Sequence, residues 1–81
     1  MLLSICKYII MHNKDVLNCI GSNIRAERTR VHLTQATFAE KIGISEKHLG
    51  KIERGEVNPK ITTVISMMNI LNIPFDAIYR I

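Results

Sequence analysis

Between Leu33 and Gly55, in LTQATFAEKIGISEKHLGKIERG, apolar positions recur every three or four residues in two short blocks separated by a glycine. Phe38, Ala39 and Ile42 fall on one face of a helix, with Gln35, Thr37, Glu40 and Lys41 mostly outside it. Thr34 offers a hydroxyl to cap that helix at its start. Gly43 follows the last apolar position, where the chain needs a left-handed residue and only glycine adopts one without strain. Ile44 then plugs the turn, and Ser45 caps a second helix that buries Leu49 and Ile52 and presents Glu46, Lys47, Gly50, Lys51 and Arg54. Gly55 closes it, and Asn58-Pro59 marks a loop. Neither capping box is complete, since Thr37 and His48 stand where Glu or Gln would complete one. The assignment rests on periodicity and glycine placement.

Two short helices joined through a glycine-containing turn make a helix-turn-helix unit. A further helix precedes it, with Val16, Ile20, Ile24 and Val31 on its buried side and Arg25, Arg28 and Arg30 loading its C-terminal half. It begins near Asn13, where Asp15 in the first turn suits the dipole, or at Ser22, because an interior Gly21 costs ~1 kcal/mol relative to Ala. Beyond the central unit, Ile61, Val64, Ile65, Met68 and Leu71 form an amphipathic stripe, predicting a fourth helix that ends at Asn72. Pro74 opens a short fifth helix carrying Phe75, Ile78 and Tyr79. The Met67–Met68 pair is read as core filler and surface. Met1–Ile10 is the most apolar run, far short of the roughly 20 residues a bilayer span requires. It is either a packing or dimerisation arm, a membrane-surface element, or a segment ahead of a start at Met11. The expected organisation is residues 1–19 as an apolar extension and the start of the first helix, and residues 20–81 as one domain.

Eighty-one residues allow a single small core. A hydrophobic share of 47% excludes disorder, and 5% aromatics leave little for a sheet, so the fold class expected is all-α with five helices. The net charge of +4 is compatible with a polyanionic partner and equally with a soluble domain that has none. Cys6 and Cys19 lack the spacing of a redox or zinc pair and are read as reduced thiols, with an intersubunit disulfide as the alternative. His12, His32 and His48 show neither metal-ligand spacing nor a partner nucleophile, and no glycine-rich phosphate loop occurs. No metal, no cofactor and no enzymatic activity are expected.

The segments Ile24-Arg25-x-x-Arg28, Leu33-Thr34-Gln35, Phe38 through Ser45, Leu49-x-Lys51-Ile52-Glu53-x-Gly55 and Asn58-Pro59 together resemble the lambdoid phage repressor and Cro family, also called the XRE family. The resemblance runs from about Ile20 to Ile78. It implies a compact five-helix, lambda-repressor-like domain whose third helix, about residues 45–54, lies in the major groove. The base-contacting residues it implies are Gln35, Glu46, Lys47 and Lys51. Lysine donates to guanine, Glu46 accepts from cytosine N4, and Gln35 bonds adenine or a phosphate. Glu46 has a second reading, as a stabiliser of the helix dipole. Phosphate positioning falls to Thr34, Arg54, Asn58 and Lys60. Lys60 stands where the family has a capping Ser or Thr, and a cation there opposes the dipole. Arg28 and Glu53 are implied to pair with each other and hold the reading helix.

The function expected is a sequence-specific, double-stranded DNA-binding transcriptional regulator, a cytoplasmic repressor acting as a homodimer and having no membrane association. The dimer surface expected is Ile70, Ile73, Tyr79 and Ile81, or the N-terminal arm. The alternative is a protein-interaction module such as the antitoxin of a toxin–antitoxin pair, with a toxin or polymerase as protein partner.

Overall fold

A computed structural model describes residues 13–81. Expectations for Met1–Ile10, Cys6, His12 and a start at Met11 lie outside the described residues. Five helices follow one another: α1 (Asn13–Arg30), α2 (Gln35–Ile42), α3 (Glu46–Glu53), α4 (Ile61–Leu71) and α5 (Phe75–Tyr79), with no strand among the described residues. The fold class is all-α, as the periodicity and the resemblance imply.

Helix α1 runs through Gly21 without a break, which corrects the alternative start at Ser22. Gly21 is where α1 crosses the end of α3. A Cβ there would overlap the Ile52 carbonyl oxygen and lie 2.6 Å from that of Glu53. Gly55, at φ +74°, meets α1 from the other side, since its Cβ would stand 2.9 Å from Asn18 Cα. The helix-propensity cost of Gly21 is therefore offset by an approach that no other residue permits.

The two helices of the central unit are capped at their starts as the sequence predicts. The Thr37 amide donates to Thr34 Oγ1 at 3.1 Å and the His48 amide to Ser45 Oγ at 3.0 Å. Gly43 is left-handed at φ 91°, and its amide and that of Ile44 both donate to the Ala39 carbonyl. Asn72 ends α4 in the left-handed region at φ 55°, which Asn tolerates better than most side chains. His32 adopts the same conformation after α1 at φ 62°, a turn that no glycine signals.

The core is one cluster: Ile20 and Ile24 of α1, Phe38 and Ala39 of α2, Leu49 and Ile52 of α3, Val64, Met67 and Leu71 of α4, and Ile78 of α5. The α4 stripe is rotated from the expected one. Met67 is fully buried and Met68 only partly, while Ile61 and Ile65 are about half exposed, at 54% and 47%. Ile70, Ile73 and Tyr79, expected on an exposed dimer surface, instead pack partly buried against the core, and Ile81 is half-buried. Asn23 of α1 fastens the far end of the chain: its Nδ2 donates to the carbonyls of Ile78 at 2.8 Å and Arg80 at 2.7 Å.

Gly21→Ala gains ~1 kcal/mol of helix propensity yet forces α1 away from α3, and overpacking of this kind costs ~1–3 kcal/mol. The net loss is up to ~2 kcal/mol, so circular dichroism should show a lower melting temperature, by several degrees. A higher one would mean that the two helices do not meet at Gly21.

Candidate nucleic-acid interface

The site is organised by Glu53 in the last turn of α3. Its side chain is 2% exposed, and a carboxylate so placed needs partners for its charge and lone pairs. Arg28 of α1 supplies two bonds, Nε to Oε2 at 2.7 Å and Nη2 to Oε1 at 3.1 Å. The third arm of the guanidinium, Nη1, donates to the Leu33 carbonyl at 2.7 Å, in the turn before α2. Gln35, the first residue of α2, adds a bond from Nε2 to Glu53 Oε1 at 2.9 Å. One arginine, one carboxylate and one amide thus connect α1, the α1–α2 turn, α2 and α3.

Gln35 was expected to face bases or phosphate. Its amide nitrogen is engaged by Glu53, and its second N–H and its carbonyl remain for a ligand. Glu46 and Lys47 are exposed on the outer flank of α3, and Lys51 is half-buried one turn on. Gly50 was expected to be presented to solvent and is buried instead. A Cβ at Gly50 would lie 3.0 Å from Arg54 Nη1 and 3.8 Å from Gln35 Nε2, so the two polar ends close over it. Gln35, Glu46, Lys47, Gly50 and Arg54 line one open cleft of about 330 Å³. The structure therefore brings three of the four expected base-reading residues to a single depression, with Lys51 outside its lining.

The expected phosphate contacts are more scattered. The Thr34 hydroxyl is committed to the cap, since it accepts from the Thr37 amide and donates to Thr37 Oγ1 at 3.0 Å. Arg54 is exposed, and its Nε donates to Glu56 Oε2 at 2.7 Å. This bond holds the Glu56 carboxyl below its usual range, with Lys51 and Lys14 adding to the effect, and raises Arg54 in turn. Asn58 and Lys60 are exposed in the loop between α3 and α4, and Lys60 gives α4 no side-chain cap.

A second cleft, of about 370 Å³, adjoins the first and is lined by Arg25, Arg28, Gln35, Glu53 and Arg54. Arg25 carries no expected contact, and its spacing one turn before Arg28 is the sequence signal that places it on this cleft.

The family model described as helix-turn-helix matches residues 24–78. The chain belongs to this family. An immunity repressor protein of Bacillus phage phi105 is 37% identical over 59 residues, covering 73% of this chain and 41% of the phage protein. YazB of Bacillus subtilis, named as an uncharacterized helix-turn-helix-type transcriptional regulator, is 41% identical over 56 residues, covering 69% of this chain and 81% of its own length. The crystal structure of the restriction-modification controller protein C.AhdI from Aeromonas hydrophila superposes with a TM-score of 0.74 at 27% identity, over 78% of this chain and 96% of that one. The chain spans about two fifths of the phage repressor and most of the other two. Within this helix-turn-helix family it is a DNA-binding transcriptional regulator, and the antitoxin alternative gains no support. None of the helices among the described residues is long and apolar enough to cross a membrane.

Glu53→Ala leaves Arg28 buried without its counter-charge and Gln35 without its acceptor, a loss of ~3 kcal/mol or more. Thermal melts and duplex-binding titrations should both show the defect. Weaker binding at an unchanged melting temperature would assign Glu53 to the ligand instead of the scaffold.

Proposed function

We propose that the chain is a repressor that binds double-stranded DNA as a homodimer and inserts α3 into the major groove. The observation that carries this reading is the exposed polar flank of α3 at Glu46 and Lys47, continuous through Arg54 with Gln35 at the start of α2. A major groove ~12 Å wide accepts one helix with its side chains and shows a distinct donor and acceptor pattern for each base pair. Lys47 and Lys51 are the guanine donors in this reading. Glu46 accepts from cytosine, and Gln35, steadied by Glu53, bonds an adenine or a phosphate beside α2. Arg54, Asn58, Lys60 and the Thr34 backbone hold the phosphates on either side. The Lys60 side chain makes no capping bond, and a phosphate beside it accounts for a cation at a helix start.

A domain this small reads only a few base pairs, so two copies on a near-palindrome give the specificity a repressor requires. The surface assigned to the second copy is the exposed apolar set on the last two helices: Ile61 and Ile65 one turn apart on α4, and Phe75, which is 49% exposed and stacks on Tyr79 at 4.3 Å between ring centroids. Occupying a promoter in the cytoplasm is then sufficient for repression.

Selection of bound duplexes from a random pool tests the reading. It should return a near-palindrome with half-sites ~34 Å apart or a multiple of that. Lys47→Ala should relax selection at one position of each half-site, with a loss of ~1–3 kcal/mol there. A pool that stays random after repeated rounds would refute sequence-specific reading.

A further inference from the structure

We infer that Arg25 of α1 forms, with Arg54 at the C-terminal end of α3, a two-arginine clamp for one phosphate of the DNA backbone; this rests on the DNA-binding reading above and adds α1 to the contact surface. The cleft between α1 and α3 carries the argument. Three guanidiniums, of Arg25, Arg28 and Arg54, border it against the single carboxylate of Glu53. Glu53 is spent on Arg28 and Gln35 at its base, so the excess positive charge lies toward the mouth.

Pairing among the arginines separates their roles. Arg28 is tied to Glu53, Arg30 to Glu27 at 2.8 Å and Arg54 to Glu56 at 2.7 Å. Arg25 is exposed, and no carboxylate among the described residues pairs with it, although all seven acidic side chains of the sequence lie within those residues. An unpaired guanidinium beside a polar cleft can give two parallel N–H bonds to a phosphate. Gln35 and Arg54 border both this cleft and the one against Glu46 and Lys47, so a phosphate here is continuous with bases read by α3. Glu56 holds Arg54 until a phosphate replaces it, which leaves Arg25 as the unbalanced charge of the clamp in the free protein.

The test is duplex binding by the unaltered chain, Arg25→Gln, Arg25→Lys and Arg30→Gln, at several salt concentrations, with thermal melts of each. Losing one phosphate contact should lower the slope of log K against log salt by ~0.9, so that a roughly fourfold rise in salt narrows the gap between the unaltered chain and Arg25→Gln about threefold. The loss should be equal on selected and unrelated duplexes. Arg25→Lys should restore most of the slope, Arg30→Gln should behave as unaltered, and no melt should change. Salt slopes identical for Arg25→Gln and the unaltered chain would overturn the clamp and leave the DNA-binding reading standing. An affinity loss that comes with a lower melting temperature would also overturn it. If the unaltered chain bound no duplex at all, both would fall.

Discussion

Glu53 places a negative charge almost completely out of water at the end of α3, the helix proposed to read DNA. A buried carboxylate contributes little to stability by itself, because removing it from water costs nearly as much as its partners return. What it provides here is geometry. Its lone pairs are filled by Arg28 and Gln35, whose own positions are fixed by α1 and by the first turn of α2. Arg28 completes the set by donating to the Leu33 carbonyl, so the turn between α1 and α2 cannot shift without breaking the same network. The angle of α3 to the rest of the domain is held by directional bonds in addition to the apolar contacts of Leu49 and Ile52, which are less selective about angle.

Two glycines on α1 and α3 do opposite things around this network. Gly21 permits backbone to approach backbone, bringing α1 close enough for Arg28, about two turns on, to reach Glu53. Gly50 faces the other way and permits side chains, Arg54 and Gln35, to lie across α3 and level its outer surface. The first sets how the helices pack, and the second shapes what they present. Asn23 performs the remaining fastening, fixing the carbonyl ends of α5 to α1 behind the core.

Much of this was legible from local chemistry. Thr34, Gly43, Ser45 and Asn72 sit at helix ends where one hydroxyl or one left-handed residue decides the outcome, and these all appear where the sequence places them. Elements whose orientation depends on packing were less legible. The α4 stripe could be drawn through Met68 or Met67, since adjacent apolar residues leave the phase of a helix open, and only burial in the shared core selects Met67. The same ambiguity misassigned Ile70 and Ile73 to the surface and hid Ile61 and Ile65. The turn at His32 carries no glycine, and the bonds of Asn23 span more than fifty residues, so neither leaves a local trace. At the candidate site, side-chain type singles out Glu46, Lys47 and Arg54, and the fold brings the three to one cleft. Which partners would engage Gln35 and Arg54 in the free protein depends on how α2 and the residues after α3 fold back.

The central claim is that the Arg28–Glu53 pair positions α3 and does not chiefly stabilise the domain. Replacing both residues together by methionine, with melts and duplex titrations on the doubly altered chain, separates these roles. Apolar replacement of a buried pair is often neutral or stabilising, so the account predicts a melting temperature close to that of the unaltered chain. Affinity for the selected duplex should fall roughly tenfold, about 1.4 kcal/mol, with binding to unrelated duplexes little changed. Full affinity for the selected duplex with an apolar pair in place would contradict it.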